Sequence, residues 1–279
     1  MIDRYIIFTG LFKDKMKFSY SLIDLLSIAN EFNIKKIFFI TWPSEIAKMK
    51  DDRLLQLKRH KLIRFITIKR LRNNGFGNFL AQMAHYNKAL EEVKSIMNHD
   101  NDNYILKSRT DVSIQINFLK QIFLYDYKLE PNKFLSHKIW IPWAHKTKPF
   151  YFEDATFYSH FDSMEKLYSI KNFNIKQIGQ GITHIRRFIN PFLGNNKYSE
   201  FCNIIRTNKN NINIQSVSGN YDKLISSPIG EVLLKNYYDI LNKYFYVYTE
   251  TPESINFRIW NKQQCLGMNL HIMYNNEIK

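Results

Sequence analysis

The segment NYILKSRTDVS (residues 103–113) changes from apolar to polar within a few residues. Tyr104, Ile105 and Leu106 form an apolar run, which is typical of a short buried strand. The polar residues that follow are Lys107, Ser108, Arg109, Thr110 and Asp111. A buried strand that ends in two cations, two hydroxyls and a carboxylate is expected to meet a polar ligand or solvent at that end.

Similar apolar runs precede this one and alternate with segments of helical spacing. Strands are predicted at 4–10, 35–41 and 62–68, and helices at about 18–32, 44–58 and 76–97. Alternation of strand and helix predicts an α/β fold with a mixed, mainly parallel sheet flanked by helices. Ligands of such sheets bind beyond the carboxyl ends of the strands, which is where the polar residues after Leu106 are placed.

The second half of the chain has a less regular pattern. It predicts strands in 133–142, 149–160 and 245–250, a helix beginning near Asp162, and a helix over 227–244; residues 251–279 stay unassigned. Repeats, low-complexity tracts and Gly/Ser/Pro-rich linkers are absent from the sequence. We therefore expect residues 1–279 to form one domain.

The 279-residue chain carries a net charge of +15, and its pI is about 9.6. Residues 1–75 hold 16 Lys and Arg against 7 Asp and Glu, a net +9. Much of this charge lies in LKRHKLIRFITIKRLR (57–72). A basic segment of this kind can bind nucleic acid, nucleotide phosphates or an anionic lipid surface.

The cysteines and the hydropathy pattern predict a protein of the reducing cytoplasm. The two cysteines, Cys202 and Cys265, form neither a disulfide framework nor a CxxC zinc motif. The first residues lack the pattern of a signal peptide, and no stretch approaches eighteen uninterrupted apolar residues. We expect a cytoplasmic protein.

The polar end of the fourth strand suggests two different functions. Alternate side chains of a strand share a face, so Lys107, Arg109 and Asp111 are predicted to point one way. Two cations and a carboxylate would suit phosphates bridged by a divalent cation. Alternatively, they form a solvated strand end with an Arg–Asp ion pair.

The helix predicted over 76–97 has an apolar stripe and a separate polar stripe. The apolar stripe comprises Phe79, Met83, Tyr86, Leu90, Val93 and Met97. The polar stripe comprises Asn78, Gln82 and His85, near the start of the helix. Uncharged amides there suit hydrogen bonds to a base or sugar, although ordinary surface polarity explains them equally well.

These two segments resemble the WavE lipopolysaccharide-synthesis family. The resemblance rests on NFLAQMAHYNKALEE (78–92) and YILKSRTDV (104–112), with weaker support from FFITWPSE (38–45) and PFYFEDATFYSHFDSMEKLY (149–168). It covers about the first two-thirds of the chain and implies a GT-A-like, Rossmann-like glycosyltransferase fold. It further implies a nucleotide-sugar-binding half at 1–115 and an acceptor half with C-terminal helices at 116–279.

The resemblance also suggests roles for particular residues. Nucleotide-sugar contacts would come from Asn78, Gln82, Lys107, Arg109 and Asp111. Asp111 would also bind a divalent cation, Mn²⁺ or Mg²⁺, because it stands in the place of the GT-A Asp-x-Asp motif. In this chain Arg109 occupies the position of the first carboxylate of that motif.

Two further groups of charged residues are candidates for the chemistry of transfer. Asp154 or Glu153 would be the catalytic base of an inverting reaction, Asp154 being favoured because the resemblance places an aspartate there. The alternative is that both are loop acids or a helix cap. His184, Arg186 and Arg187 would meet a pyrophosphate, or else form a solvated helix face.

The sequence therefore predicts a glycosyltransferase that takes sugar from a nucleotide-sugar donor. The acceptor would be lipopolysaccharide, lipooligosaccharide or capsular polysaccharide, including lipid-linked forms. Peripheral contact with the anionic cytoplasmic face of the inner membrane is expected, and nucleic-acid binding is not. The alternatives are a basic nucleic-acid-binding module and a sugar-phosphate transferase on the same scaffold. Affinity that falls steeply with salt would identify the nucleic-acid module.

Overall fold

The computed structural model describes about half of the chain, with most of the first 167 residues included. The described residues are 1–11, 22–47, 52–71, 79–128, 138–144, 155–167, 231, 235, 238–239, 241–249, 258–260 and 263–266.

The described residues form a seven-stranded sheet and a smaller three-stranded sheet. The strands are β1 (Ile2–Thr9), β2 (Ile34–Thr41), β3 (Ile63–Thr67), β4 (Asp102–Arg109), β5 (Val112–Ile114), β6 (Ile139–Trp143), β7 (Phe157–His160), β8 (Phe245–Thr249), β9 (Arg258–Trp260) and β10 (Gln263–Leu266). The large sheet has the order β3-β2-β1-β4-β7-β6-β8, and the small one β5-β10-β9. In the large sheet β7 runs against its neighbours β4 and β6, and the other pairs are parallel. The predicted mixed, mainly parallel α/β sheet is confirmed.

Helices cover both faces of the large sheet. They are α1 (residues 22–27 as described), α2 (Pro43–Ala47), α3 (Asp52–Lys58), α4 (Phe79–Lys94), α5 (Ile116–Lys128) and α6 (Phe161–Leu167), and the described residues of the helix predicted over 227–244 are helical up to residue 244. One apolar core joins the sheet to α4 and α6, and a second joins it to α1 and α5. The predicted apolar stripe of α4 is confirmed where it is described: Met83, Tyr86, Leu90 and Val93 are buried, and Met97 packs against them.

The position of α4 follows from the handedness of βαβ units. The chain moves outward from β1 through β2 to β3 and then crosses back to β4 on the other side of β1. Crossovers between parallel strands are right-handed, so a reversal of direction moves the connecting helix to the opposite face. Consequently α4 lies on the face opposite α1, and it contacts β1 and β2.

The direction of α4 is fixed by a contact near each end. Near its C-terminal end, Glu92 forms an ion pair with Arg64, the second residue of β3. The distance between Nη2 of Arg64 and Oε2 of Glu92 is 3.0 Å. Near its start, His85 contacts Trp42, which directly follows β2. Thus α4 begins at the carboxyl edge of the parallel strands and runs back to their amino edge.

A buried arginine ties the amino end of β1 to both neighbouring layers. The Nε of Arg4 donates to the hydroxyl of Tyr158 at 3.0 Å, and its Nη1 donates to the carbonyl of Phe32 at 2.7 Å. The guanidinium also lies over the rings of Phe32 and Phe123. Because this residue is at the amino edge, it serves the packing of the fold and is remote from the carboxyl edge.

Several elements differ from the sequence-based prediction. Of the helix predicted over 44–58, the structure describes α2, which begins at Pro43, and α3; residues 48–51 lie outside the described residues. The described parts of the strands predicted in 133–142 and 149–160 are shorter, as β6 and β7. Helix α5 and strands β5, β9 and β10 were not predicted. Pairing of β10 with β5 joins positions about 150 residues apart, which local pattern does not reveal.

Candidate functional site

The strand order of the large sheet reverses direction at β1. Strands β2 and β3 lie on one side of β1, and β4 lies on the other. In open α/β sheets, ligands bind outside the carboxyl ends of the strands at such a switch point. Here β1 ends at Thr9 and β4 ends at Arg109, and these two residues are register neighbours. The candidate site is therefore the edge around Thr9 and Arg109.

Gly10 makes the turn that follows β1 at this edge. Its φ is +118°, a backbone conformation that residues with a Cβ rarely adopt. A Cβ added at Gly10 would also lie 3.3 Å from the Oγ1 of Thr110. The turn is held to β2, because the Gly10 N–H donates to the carbonyl of Ile40 (3.3 Å) and the hydroxyl of Thr41 donates to the Gly10 carbonyl (2.8 Å).

Thr110 ties the end of β4 to the same turn. Its hydroxyl donates to the carbonyl of Leu11 at 2.6 Å, and its backbone N–H donates to the carbonyl of Thr9 at 3.1 Å. Residues almost one hundred positions apart are thereby held together where β1 and β4 end. The turns after β1 and β4 and the end of β2 are thus joined by hydrogen bonds through Gly10, Thr41 and Thr110.

Arg109 and Asp111 form a two-point ion pair at this edge. The Nε of Arg109 donates to Oδ1 of Asp111 at 2.7 Å, and Nη2 donates to Oδ2 at 2.6 Å. The Asp111 side chain is 7% exposed and that of Arg109 is 22% exposed. Bidentate pairs of this geometry are directional and strong for their size. The pair therefore holds a partly exposed guanidinium in one orientation at the switch point.

The sequence-based reason for bringing Asp111 to this face was wrong. Strand β4 ends at Arg109, and Thr110 and Asp111 form a turn before β5. Alternation along a strand therefore applies to Lys107 and Arg109 but does not extend to Asp111. The turn, together with the ion pair, brings the carboxylate to the guanidinium.

Lys107 is fully buried, with 0% exposure. Its Nζ donates to the carbonyl of Ala155 at 3.0 Å and lies 5.4 Å from the ring centroid of Phe157. Next to it, the hydroxyls of Ser108 and Thr156 are 3.1 Å apart. Both contacts bind the end of β4 to the start of β7. The predicted contact of Lys107 with phosphate stays a prediction, and the described contacts show it joining two strands.

Trp42 and His85 meet below the edge, between β2 and α4. Their rings have centroids 4.8 Å apart and an interplanar angle of 62°. His85 is 1% exposed, and burial lowers its pKa from 6.5 to about 4. The prediction of a polar stripe through Asn78, Gln82 and His85 is corrected at His85, because this side chain lies in the interior.

Gln82 keeps its predicted place on the helix. It is half-buried and precedes His85 by three residues, toward the beginning of α4 and hence toward the carboxyl edge. A role in binding the donor stays a prediction for Gln82. Asn78, predicted to act with it, lies outside the described residues.

The other predicted residues fall outside the described part of the chain. They are Glu153, Asp154, His184, Arg186 and Arg187. The described segment resumes at Ala155, the residue that follows Asp154 in the sequence and whose carbonyl accepts from Lys107. The predicted base therefore stays a prediction.

The residues around Asp111 do not fit a divalent cation as they are arranged. Both carboxylate oxygens accept from the guanidinium of Arg109, and a cation bound to them would meet that positive charge. Mn²⁺ and Mg²⁺ are usually held by several oxygen ligands. Within the described residues no group of three or more His, Cys, Asp or Glu is arranged to hold a metal ion. Asp111 as a metal ligand stays a prediction that these contacts do not favour.

Gly10 and Thr110 were not singled out from the sequence as site residues. A glycine directly after an apolar strand, as in RYIIFTG (4–10), is a signal for a special backbone conformation. Thr110 was noted only as part of the polar cluster, since its partner Leu11 is distant in sequence. No pattern in the neighbouring sequence indicates that His85 lies in the interior.

The sequence matches no protein-family model and no curated protein sequence. Solved structures with similarity include 4-diphosphocytidyl-2C-methyl-D-erythritol synthase from Anaerococcus prevotii, with a TM-score of 0.39 and 10% identity over 66% of this chain and 82% of that chain. The galactosyltransferase LgtC in complex with donor and acceptor sugar analogues has a TM-score of 0.35 and 10% identity over 66% and 69%. An active-site mutant of LgtC has a TM-score of 0.32 and 10% identity, over 67% of this chain and 65% of that chain.

At these TM-scores and identities, the similarity carries no conclusion about the reaction of this protein. The resemblance to the WavE family stays a prediction, and the function must be argued from the geometry of the site.

Proposed function

We propose that this protein is a glycosyltransferase that takes a sugar from a nucleotide-sugar donor. The acceptor is a lipopolysaccharide, lipooligosaccharide or capsular polysaccharide, in free or lipid-linked form. One observation carries the proposal: the Gly10 turn, Thr110 and the Arg109–Asp111 pair converge at the switch point of a mainly parallel sheet. Such a point is where ligands bind to sheets of this type.

The geometry supports an anionic ligand in particular. Arg109 is partly exposed and is oriented through two hydrogen bonds. An oriented guanidinium suits the planar, charged oxygens of a phosphate better than a flexible ammonium does. Gly10, with no side chain, lets Thr110 lie close against the turn after β1, which holds the residue between Arg109 and Asp111 in place.

The proposed reaction is a substitution at the anomeric carbon of the donor. An acceptor hydroxyl oxygen forms a bond to the anomeric carbon of the donor, and the bond from that carbon to the diphosphate oxygen breaks. The nucleoside diphosphate leaves with the bonding electrons, and Arg109 stabilises the added negative charge. The hydroxyl proton passes to a base, for which we propose Asp154, with Glu153 as the alternative.

We assign the two halves of the chain different parts in this reaction. Residues 1–115, in one domain with the rest, bind the donor, and residues 116–279 bind the acceptor. Gln82, with Asn78, hydrogen-bonds the base or sugar of the donor. The proposal is consistent with the place of Gln82 in α4, on the side of His85 that is toward the carboxyl edge.

We also propose that the basic segment 57–72 contacts an anionic lipid surface while the enzyme acts on a lipid-linked acceptor. Lys58, Arg59 and Lys61 are exposed, and they lie between the end of α3 and the edge strand β3. None of the helices in the described ranges has the length and hydropathy needed to cross a membrane.

A panel of UDP-, GDP-, CMP- and dTDP-sugars tests the proposal by thermal shift, with and without Mn²⁺. We expect one nucleotide series to raise the melting temperature and the others to leave it unchanged. Sugar transfer is then measured with the stabilising donor and bacterial polysaccharide acceptors. Absence of any shift, together with DNA or RNA binding that weakens steeply with salt, would replace the proposal with a nucleic-acid-binding module.

A further inference from the structure

We propose that donor binding in this protein depends on the Arg109 guanidinium, positioned by Asp111, and does not require a divalent cation. This inference rests on the proposed function, because it concerns how the same site holds the diphosphate of the donor. It differs from the metal site that the sequence resemblance implies for Asp111.

The first support is how the carboxylate of Asp111 is used. Its two oxygens each accept one hydrogen bond from Arg109, at 2.7 Å and 2.6 Å. A metal ion bound to either oxygen would displace one of these bonds and would be repelled by the guanidinium. The Asp111 side chain is also nearly buried. Water therefore could not replace the hydrogen bonds that such a rearrangement would break.

The second support is the place of Arg109. It is the last residue of β4 and the register neighbour of Thr9, so it stands at the switch point itself. Two of its N–H groups are directed to Asp111 and fix the plane of the guanidinium. Its fork geometry matches phosphate oxygens, and its charge is permanent. The guanidinium thus offers hydrogen bonds to phosphate oxygens at the place where a metal ion would otherwise bind them.

The third support is how firmly the pair is held. The intervening residue, Thr110, is bonded through its hydroxyl to Leu11 and through its N–H to Thr9. The turn that carries Asp111 is therefore attached to β1 as well as to β4. A pair on such a turn loses little freedom when a ligand binds, which favours preorganised electrostatic stabilisation. Asp111 is accordingly a positioning residue that acts through Arg109.

The test uses the full chain and calorimetric titration with UDP, GDP, CDP and dTDP, each in excess EDTA and in Mn²⁺. For the nucleotide that binds, we expect affinities in the two conditions to agree within about threefold. Binding of Mn²⁺ alone, followed by electron paramagnetic resonance, should be the same for wild type and Asp111→Asn. Affinity that is lost in EDTA would overturn the inference and leave the proposed function standing, and Mn²⁺ bound by wild type and not by Asp111→Asn would then identify Asp111 as a ligand of the metal.

Two variants separate positioning from a merely structural role. Arg109→Lys keeps the charge and loses the fork, and Asp111→Asn loses one charge of the pair; each should weaken nucleotide binding by about tenfold. Arg64→Lys is the matched control, because its ion pair with Glu92 is remote from the edge, and its nucleotide affinity should equal that of wild type. Unchanged affinity in both folded site variants would overturn the inference. If none of these nucleotides and none of the sugar nucleotides of the thermal-shift panel binds, the proposed function fails, and the inference fails with it; if a CMP-sugar alone binds, the inference fails and the proposed function stands.

Discussion

The indole of Trp42 and the imidazole of His85 meet nearly edge to face, with ring centroids 4.8 Å apart. Trp42 directly follows β2, and His85 lies in the second turn of α4. The contact keeps the imidazole away from water, which lowers its pKa to about 4. It also fixes the distance between α4 and the carboxyl edge, so the helix that carries Gln82 is anchored beside the candidate site.

The first prediction concerns pH and stability. The folded pKa of His85, about 4, is below its ordinary value of 6.5, so the unfolded chain takes up a proton first as pH falls. The stabilisation from a neutral His85 is therefore complete above pH 6.5 and is lost between pH 6.5 and 4. The free energy of unfolding should fall by about 3 kcal/mol over this pH range because of His85 alone.

Denaturant unfolding at a series of pH values measures this effect. His85→Gln should remove that part of the pH dependence, whereas the same change at the exposed His60 should leave the wild-type dependence intact. If His85→Gln loses stability between pH 6.5 and 4 as steeply as wild type does, the imidazole does not titrate as the burial predicts.

The second prediction concerns the turn after β1. Gly10→Ala should lower the free energy of unfolding by about 1–3 kcal/mol, because alanine is strained at a φ of +118° and its Cβ crowds Thr110. Thr110→Ser keeps the hydroxyl that bonds Leu11 and should cost less. Chemical denaturation of both variants provides the comparison, and wild-type stability in Gly10→Ala would contradict the described turn.

The third prediction concerns the amide of α4. Gln82→Ala should weaken donor binding by about tenfold, the effect of losing roughly one good hydrogen bond, with little change in stability. The half-buried position of this side chain near the carboxyl edge is the reason. Calorimetric titration with the donor measures the effect, and Lys88→Ala is the control, because Lys88 is a partly exposed residue of the same helix that pairs with Glu91 and Glu92. If Gln82→Ala and Lys88→Ala bind the donor equally well, Gln82 does not contact the donor.

The fourth prediction concerns the base. Asp154→Asn should reduce the rate of transfer by about 100- to 10,000-fold, the usual effect of removing a general base, while donor affinity is kept. Glu153→Gln is the matched variant and should remain active. Paired measurements of rate and donor affinity decide between them: loss of activity only in Glu153→Gln would move the base by one residue. Full activity in both would place it elsewhere or indicate a retaining reaction.

The fifth prediction concerns the lipid surface. Each Lys or Arg near an anionic membrane contributes about 1 kcal/mol, so reversing Lys58, Arg59 and Lys61 to Glu should release the protein from vesicles. Sedimentation with phosphatidylcholine vesicles, with and without phosphatidylglycerol, measures binding at low salt. The control reverses Lys94, Lys120 and Lys243, which changes the net charge equally on other elements. Similar loss in both variants, or no binding by wild type, would refute a specific role for segment 57–72.

The sequence by itself determined the class of the fold. The apolar runs at 4–10, 35–41 and 62–68 became β1, β2 and β3 within one or two residues, because such runs can be satisfied only inside a sheet covered on both faces. The apolar stripe of α4 likewise packed on that sheet. Both signals are local: each depends on the spacing of apolar residues within one element.

Only the tertiary structure decided how the polar residues are used. Lys107 and Arg109 are two positions apart on one strand, yet one is buried against Ala155 and the other is partly exposed and paired with Asp111. His85 shares the helical spacing of Gln82 but lies against Trp42. The physical reason is that the environment of a polar side chain is set by elements distant in sequence. The pairing of strands and the crossing of α4 to the opposite face bring those elements together.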